Sequence, residues 1–117
     1  MPKRDRIERF LPMKPAAFHI LLALADGPRH GYAIRTSVEH LTQGGIRLWP
    51  ATLYGSVRQL GNAGLIEPMA GGDGADDDAR RRYYRLTALG RRVLAAETER
   101  LRALVEYARG TRAIAEV

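Results

Sequence analysis

Arg80, Arg81, Arg82 and Arg85 crowd into a short stretch directly after Asp73, Asp76, Asp77 and Asp78. Clustered guanidinium groups displace counterions from a polyanion, and each fork matches a phosphate. Carboxylates held against the same polyanion would oppose that, so three readings stay open for the acidic stretch. It swings clear, it folds back to shield the arginines, or it is a solvated tip without a role. A second group, Thr52, Tyr54, Ser56 and Arg58, offers side-chain donors suited to phosphates or base edges. A third, His30, Gly31 and Tyr32, stands where a helix would begin, and the free amides and partial positive charge of a helix start suit a phosphate. Arg29 and Arg35 could add charge there, while His30 and Tyr32 would serve equally well as a capping pair.

Other chemistries find little support. There is no cysteine, and the only serines are Ser37 and Ser56, neither in a nucleophile-elbow context. No glycine pattern of the Walker or Rossmann kind occurs, and His19, His30 and His40 match no zinc spacing. Asp73 to Asp78 does not follow the oxygen spacing of a calcium loop. The expectation is a protein without catalysis, cofactor or metal. Nineteen Lys and Arg against thirteen Asp and Glu give a formal charge of +6, which favours a polyanionic partner such as nucleic acid.

The 117 residues, 45% hydrophobic and 27% charged, fit one soluble domain with a modest core. The longest apolar run, Ile20 to Ala25, is far short of a membrane span, so no membrane is expected. Basic residues before Ala16 to Ala25 imitate a leader peptide, but Asp5, Glu8 and His19 interrupt the pattern. The lack of cysteine agrees with a reducing, cytoplasmic setting.

These groups need elements to position them. Residues 1–14 read as an N-terminal basic arm preceding the core. Pro15 opens a first helix that Asp26-Gly27-Pro28 stops. Ile34, Val38 and Leu41 stripe a second helix over His30 to Leu41, ended by Gly44-Gly45. Ile46 to Leu48 suits a very short strand or turn, and Pro50 opens a third helix, about 50–62, with Leu53, Val57 and Leu60 on one face and Gly64 as its stop. Leu65 to Met69 and Arg82 to Leu86 pair as a hairpin over about 65–86, in which one of Tyr83 and Tyr84 enters the core. Thr87 can cap a last helix over 88–110, followed by a tail at 111–117. Along that helix Leu94, Leu101, Leu104, Val105 and Ala108 form an apolar seam too long for a small domain to cover, so it is the expected dimerisation surface, with part of it taken by the first helix. Arg91, Arg92, Arg100 and Arg102 point toward other faces.

Three helices followed by a hairpin is the order of a winged helix-turn-helix: a mainly α fold with a small β-hairpin (α+β), spanning 15–87, plus a long C-terminal helix. A helix fits the major groove of duplex DNA and a hairpin reaches the neighbouring backbone or minor groove. Specific residues carry a resemblance further. Leu21-Leu22-Ala23-Leu24 through Gly27-Pro28-Arg29-His30-Gly31-Tyr32, then Thr52-Leu53-Tyr54, then Gly64-Leu65-Ile66-Glu67, then Arg81 to Thr87 with Gly90-Arg91, resemble the PadR family of transcriptional regulators. The resemblance implies a homodimer, often a repressor, that binds double-stranded DNA and whose affinity responds to a small-molecule effector of unknown identity. It looks like the short form, with a single C-terminal dimerisation helix. It also implies that Tyr54 lies at the DNA surface, although the ring of Tyr54 would also pack well against helix two. The candidate DNA-binding residues are His30, Tyr32, Thr52, Tyr54, Ser56, Arg58, Arg80, Arg81 and Arg82.

One departure from that pattern stands out. Trp49 occupies a position where relatives carry a small polar residue able to cap helix three, and an indole cannot accept that bond. Core packing is the expected role of Trp49, with a ring at the groove or at an effector pocket as the alternatives. Phe18, Trp49 and Tyr107 are the candidate effector contacts, and with Phe10 they could converge at a dimer interface. A protein-docking winged helix and a basic RNA-binding protein are the rival functions.

Overall fold

The computed structural model describes residues 7–69 and 82–117. In chain order the elements are α1 (Pro15–Ala23), β1 (Arg29–His30), α2 (Gly31–Leu41), α3 (Pro50–Asn62), β2 (Ile66–Met69), β3 (Tyr83–Leu86), α4 (Ala88–Arg109) and α5 (Arg112–Ala115). The expected α+β architecture is present, with helices dominating and one small antiparallel sheet of order β1-β3-β2.

Apolar spacing explains the helices. Leu53, Val57 and Leu60 turn one face of α3 inward, and Ile34 and Val38 do the same for α2. They close on Ile20, Leu21 and Leu24 from α1, with Leu48, Leu65, Leu86 and Val93 completing the core. Gly64 ends α3 at φ +80°, where a side chain would be strained, and the Leu65 amide returns to the Leu60 carbonyl at 3.0 Å while the Gly64 amide reaches Gly61 at 3.0 Å. This turn delivers Leu65 into the core and starts the wing.

Two details differ from the sequence expectation. Ile46 to Leu48 forms no strand; the sheet's short third strand is instead Arg29–His30, which pairs antiparallel with Tyr84 and Tyr83 of β3. An antiparallel ladder needs only backbone groups in register, and two residues suffice once β3 lies alongside. Second, the basic arm does not merely precede the core, because Ile7, Phe10, Leu11 and Met13 pack against it.

The root of α4 is fixed from two sides. The Thr87 hydroxyl accepts the Gly90 amide at 3.0 Å and donates to the Gly64 carbonyl at 2.5 Å, joining the helix start to the end of α3. Deeper along α4, Val93 is fully buried and Glu97 is only 2% exposed. The Glu97 carboxylate accepts the Met13 amide at 2.9 Å and two bonds from Arg100, at 2.5 and 3.0 Å. Arg100, itself half-buried, is the ion-pair partner of the buried Glu97, and the same carboxylate ties Met13 to α4. Among the described residues no helix is long and apolar enough to cross a membrane.

Candidate nucleic-acid interface

α2 and α3 cross so that Gly31 meets Tyr54. A Cβ on Gly31 would lie 3.0 Å from the Tyr54 hydroxyl and 3.2 Å from a ring carbon, so the tyrosine is seated on the start of α2 and is half-buried there. The packing role foreseen for this ring is thus present, and it carries the hydroxyl to the first turn of α2.

The donors of α3 do not form one cluster. At about 100° per residue, Thr52 and Ser56 fall on one flank of the buried Leu53, Val57 and Leu60 stripe, and Tyr54 and Arg58 fall on the other. Thr52 and Arg58 are exposed, and Ser56 is half-buried. Between the flanks lies the outward face of Ala51, Gly55 and Asn62. A Cβ on Gly55 would meet nothing within 4 Å. The helix therefore presents a low-relief ridge with donors on both edges, a shape that a groove can admit.

His30 caps α2: its Nδ1 accepts the Ala33 amide at 3.1 Å. That bond leaves the neutral ring's proton on Nε2. The ring is stacked near Tyr32, with centroids 6.5 Å apart, and edge-on to Tyr83 at 5.5 Å. Tyr32 itself is exposed. The pair thus combines the capping role with an aromatic surface that runs from the start of α2 onto β3. Of the two adjacent tyrosines, Tyr84 enters the core and Tyr83 stays half-buried on the opposite face of the strand.

The basic residues divide. Arg29 is turned inward, its Nε donating to the Ala23 carbonyl at 2.8 Å and so closing the C-terminal end of α1. Arg85 pairs across the strands with Glu67 at 2.9 Å. Arg82 is exposed at the foot of β3. Arg80 and Arg81, with Asp73, Asp76, Asp77 and Asp78, lie outside the described residues.

Trp49 is not in the core. It is 60% exposed, with the Arg35 guanidinium 5.7 Å from its ring centroid. No side chain caps α3, whose first residue is Pro50 and whose Leu53 amide returns to the Trp49 carbonyl at 2.8 Å. The reason for the outward ring is local: Leu48 fills the inward position beside it. The three effector candidates do not converge within one chain. Trp49 borders a groove with Arg35, Thr36, His40 and Arg47, Phe18 is half-buried on α1 beside the His19 ring, and Tyr107 is exposed near the end of α4.

The apolar seam of α4 also divides. Leu94 packs against the core of its own chain, the part of the seam expected to be taken within the chain, while Leu101 and Ala108 are half-buried. Leu104 and Val105 are 53% and 51% exposed.

The pattern of the Transcriptional regulator PadR-like family matches residues 20–96. An uncharacterized 37.1 kDa protein in transposon TN4556 of Streptomyces fradiae is 40% identical over 78 residues, covering 67% of this chain and 20% of that protein. The matching region thus spans about a fifth of the relative's length. The crystal structure of a PadR family transcriptional regulator from Eggerthella lenta is 32% identical over 76% of each chain, with a TM-score of 0.53. A homodimeric winged helix-turn-helix DNA-binding domain from Mycobacterium bovis is 23% identical and shares the fold, with a TM-score of 0.55 over 94% of this chain and 85% of its own. With three helices, a wing and a long final helix in this order, and with the family pattern running from α1 into α4, the chain belongs to the PadR-like family of transcriptional regulators.

Proposed function

We propose that the chain is a sequence-specific, DNA-binding repressor that acts as a homodimer on an inverted repeat and releases its operator when a small molecule binds. The observation that carries the reading is the outward ridge of α3, edged by Thr52, Ser56 and Arg58, on a chain of net charge +6 whose exposed Arg82 stands at the outer end of the β2–β3 ladder. In this reading α3 enters the major groove, the wing arginines Arg80 to Arg82 follow the adjacent backbone, and the start of α2 at His30 and Tyr32 meets a phosphate. No chemistry is catalysed.

The exposed Leu104 and Val105 support a second copy as the cover of α4, continued by Leu101 and Ala108. The Mycobacterium bovis domain with this fold is homodimeric. Two-fold symmetry would set two copies of α3 on half-sites about 34 Å apart, one turn of DNA, so that the protein occupies promoter DNA as a pair. Release by an effector rests on the resemblance to PadR regulators.

Selection of duplexes from a random pool by the purified chain, followed by footprinting, tests the reading. It should return an inverted repeat bound by two chains and weakened by Tyr54→Phe and by loss of Arg81 and Arg82. No enrichment by folded, dimeric protein would refute it and turn attention to protein docking.

A further inference from the structure

We propose that Trp49, held in place by Arg35, is itself a DNA-contacting residue whose indole lies against deoxyribose and thymine-methyl surface at the edge of the groove that α3 enters. The proposal rests on the DNA-binding reading above and adds a contact that the donors of α3 do not provide.

Three observations lead to it. The first is where the ring is. Trp49 immediately precedes α3, whose exposed Thr52 follows three residues on, and its ring lies beside Arg35 of α2, at the end of α3 where the ridge begins. The position gives up the capping bond that a small polar residue would make, and the ring gains only partial burial in exchange, since it is 60% exposed.

The second is that the ring has neighbours that restrain it. Arg35 lies over it at 5.7 Å, Glu39 holds Arg35 from one turn further along α2 at 3.5 Å, and Pro50 restrains the backbone that follows. An aromatic group that is ordered before its partner arrives loses little freedom on contact.

The third is the company it keeps. The open groove beside the ring, about 720 Å³, is bordered by Arg35, Thr36, Glu39, His40, Gln43 and Arg47. Among the described residues Arg47 has no ion-pair partner, whereas the charge of Glu39 is taken up by Arg35. An apolar face set among cations and donors suits the surface of duplex DNA, where phosphates alternate with sugar and methyl edges, better than an apolar protein partner.

Trp49 is the only tryptophan, so intrinsic emission reports this ring alone. The purified chain is titrated with a fluorescein-labelled duplex taken from the random-pool selection. Anisotropy of the label follows binding, and acrylamide quenching of Trp49 follows access to the ring. The expected result is quenching that falls severalfold at saturation. Trp49→Ala should bind roughly tenfold more weakly, with Trp49→Phe recovering part of the loss and both variants melting close to the wild type because the ring is mostly exposed.

Binding seen by anisotropy with unchanged quenching overturns the proposal and leaves the DNA reading standing; the groove would then be examined as a small-molecule site. Reduced quenching with full affinity in Trp49→Ala also overturns it, since proximity without contact would account for both. A flat anisotropy trace removes the DNA-binding reading and this contact with it.

Discussion

A Cβ placed on Gly90 would overlap the carbonyl oxygen of Leu65 and lie 2.9 Å from its carbonyl carbon. The first turn of α4 is therefore pressed directly onto the backbone at the start of β2, and only a residue without a side chain allows it. The same Leu65 carbonyl accepts the Thr87 amide at 3.1 Å, which ties the wing and α4 at a single point. Gly90→Ala should destabilise the chain by about 2–3 kcal/mol, because backbone must move and the gain in helix propensity, at most about 1 kcal/mol, does not offset it. Urea unfolding measures the change, and equal or higher stability would show that α4 can shift at no cost.

The buried Glu97 predicts an acid-sensitive joint. Hydrogen bonds from Arg100 hold its carboxyl below the ordinary value of 4.5; burial works against them, and the Met13 amide reinforces them. A carboxyl whose pKa is lower in the folded state contributes stability that is fully present above pH 4.5 and lost as pH falls through the lower folded value. Glu97→Gln should cost about 2 kcal/mol at neutral pH through the loss of charge-assisted bonds. It should also flatten the fall in melting temperature as the pH drops below 4.5. Parallel wild-type and variant curves would mean that Glu97 does not link proton binding to folding. The Glu99–Arg102 pair is present in both proteins and cancels from the comparison.

Leu104 and Val105 predict the oligomeric state. Replacing both by Asp places charge where a partner helix would pack, and sedimentation should then show a monomer in which helix content is retained, because neither side chain supports its own core. A variant that remains as dimeric as the wild type would move the interface elsewhere on the chain.

How much of this was legible in the sequence depended on the source of each element's order. α3 could be read because Leu53, Val57 and Leu60 encode their own periodicity and Pro50 and Gly64 mark its ends. β1 could not, since Arg29 and His30 become a strand only by lying beside Tyr84 and Tyr83. Trp49 misled by its apolarity; Leu48, one residue earlier, takes the inward place. Glu97 is hidden for the opposite reason, because a carboxylate reads as surface until its partners, an amide from residue 13 and a guanidinium one turn away, are brought to it by the fold. The positions of Ile7, Phe10, Leu11 and Met13 held a usable signal, four apolar side chains within a basic segment, that the charge of the segment obscured. In the candidate site the residue types were legible, but the division of the α3 donors onto two flanks followed only from which face is buried.

The most direct test of the account is an equilibrium titration of the selected duplex at rising salt, with the stoichiometry fixed by sedimentation and an RNA duplex of the same sequence as control. The expected result is two chains per DNA duplex, affinity that falls by roughly a thousandfold between about 50 and 200 mM salt, and at least roughly tenfold weaker binding to the RNA. Affinity that does not change with salt, or that is equal for the RNA, would contradict a regulator that grips operator DNA through α3 and the wing.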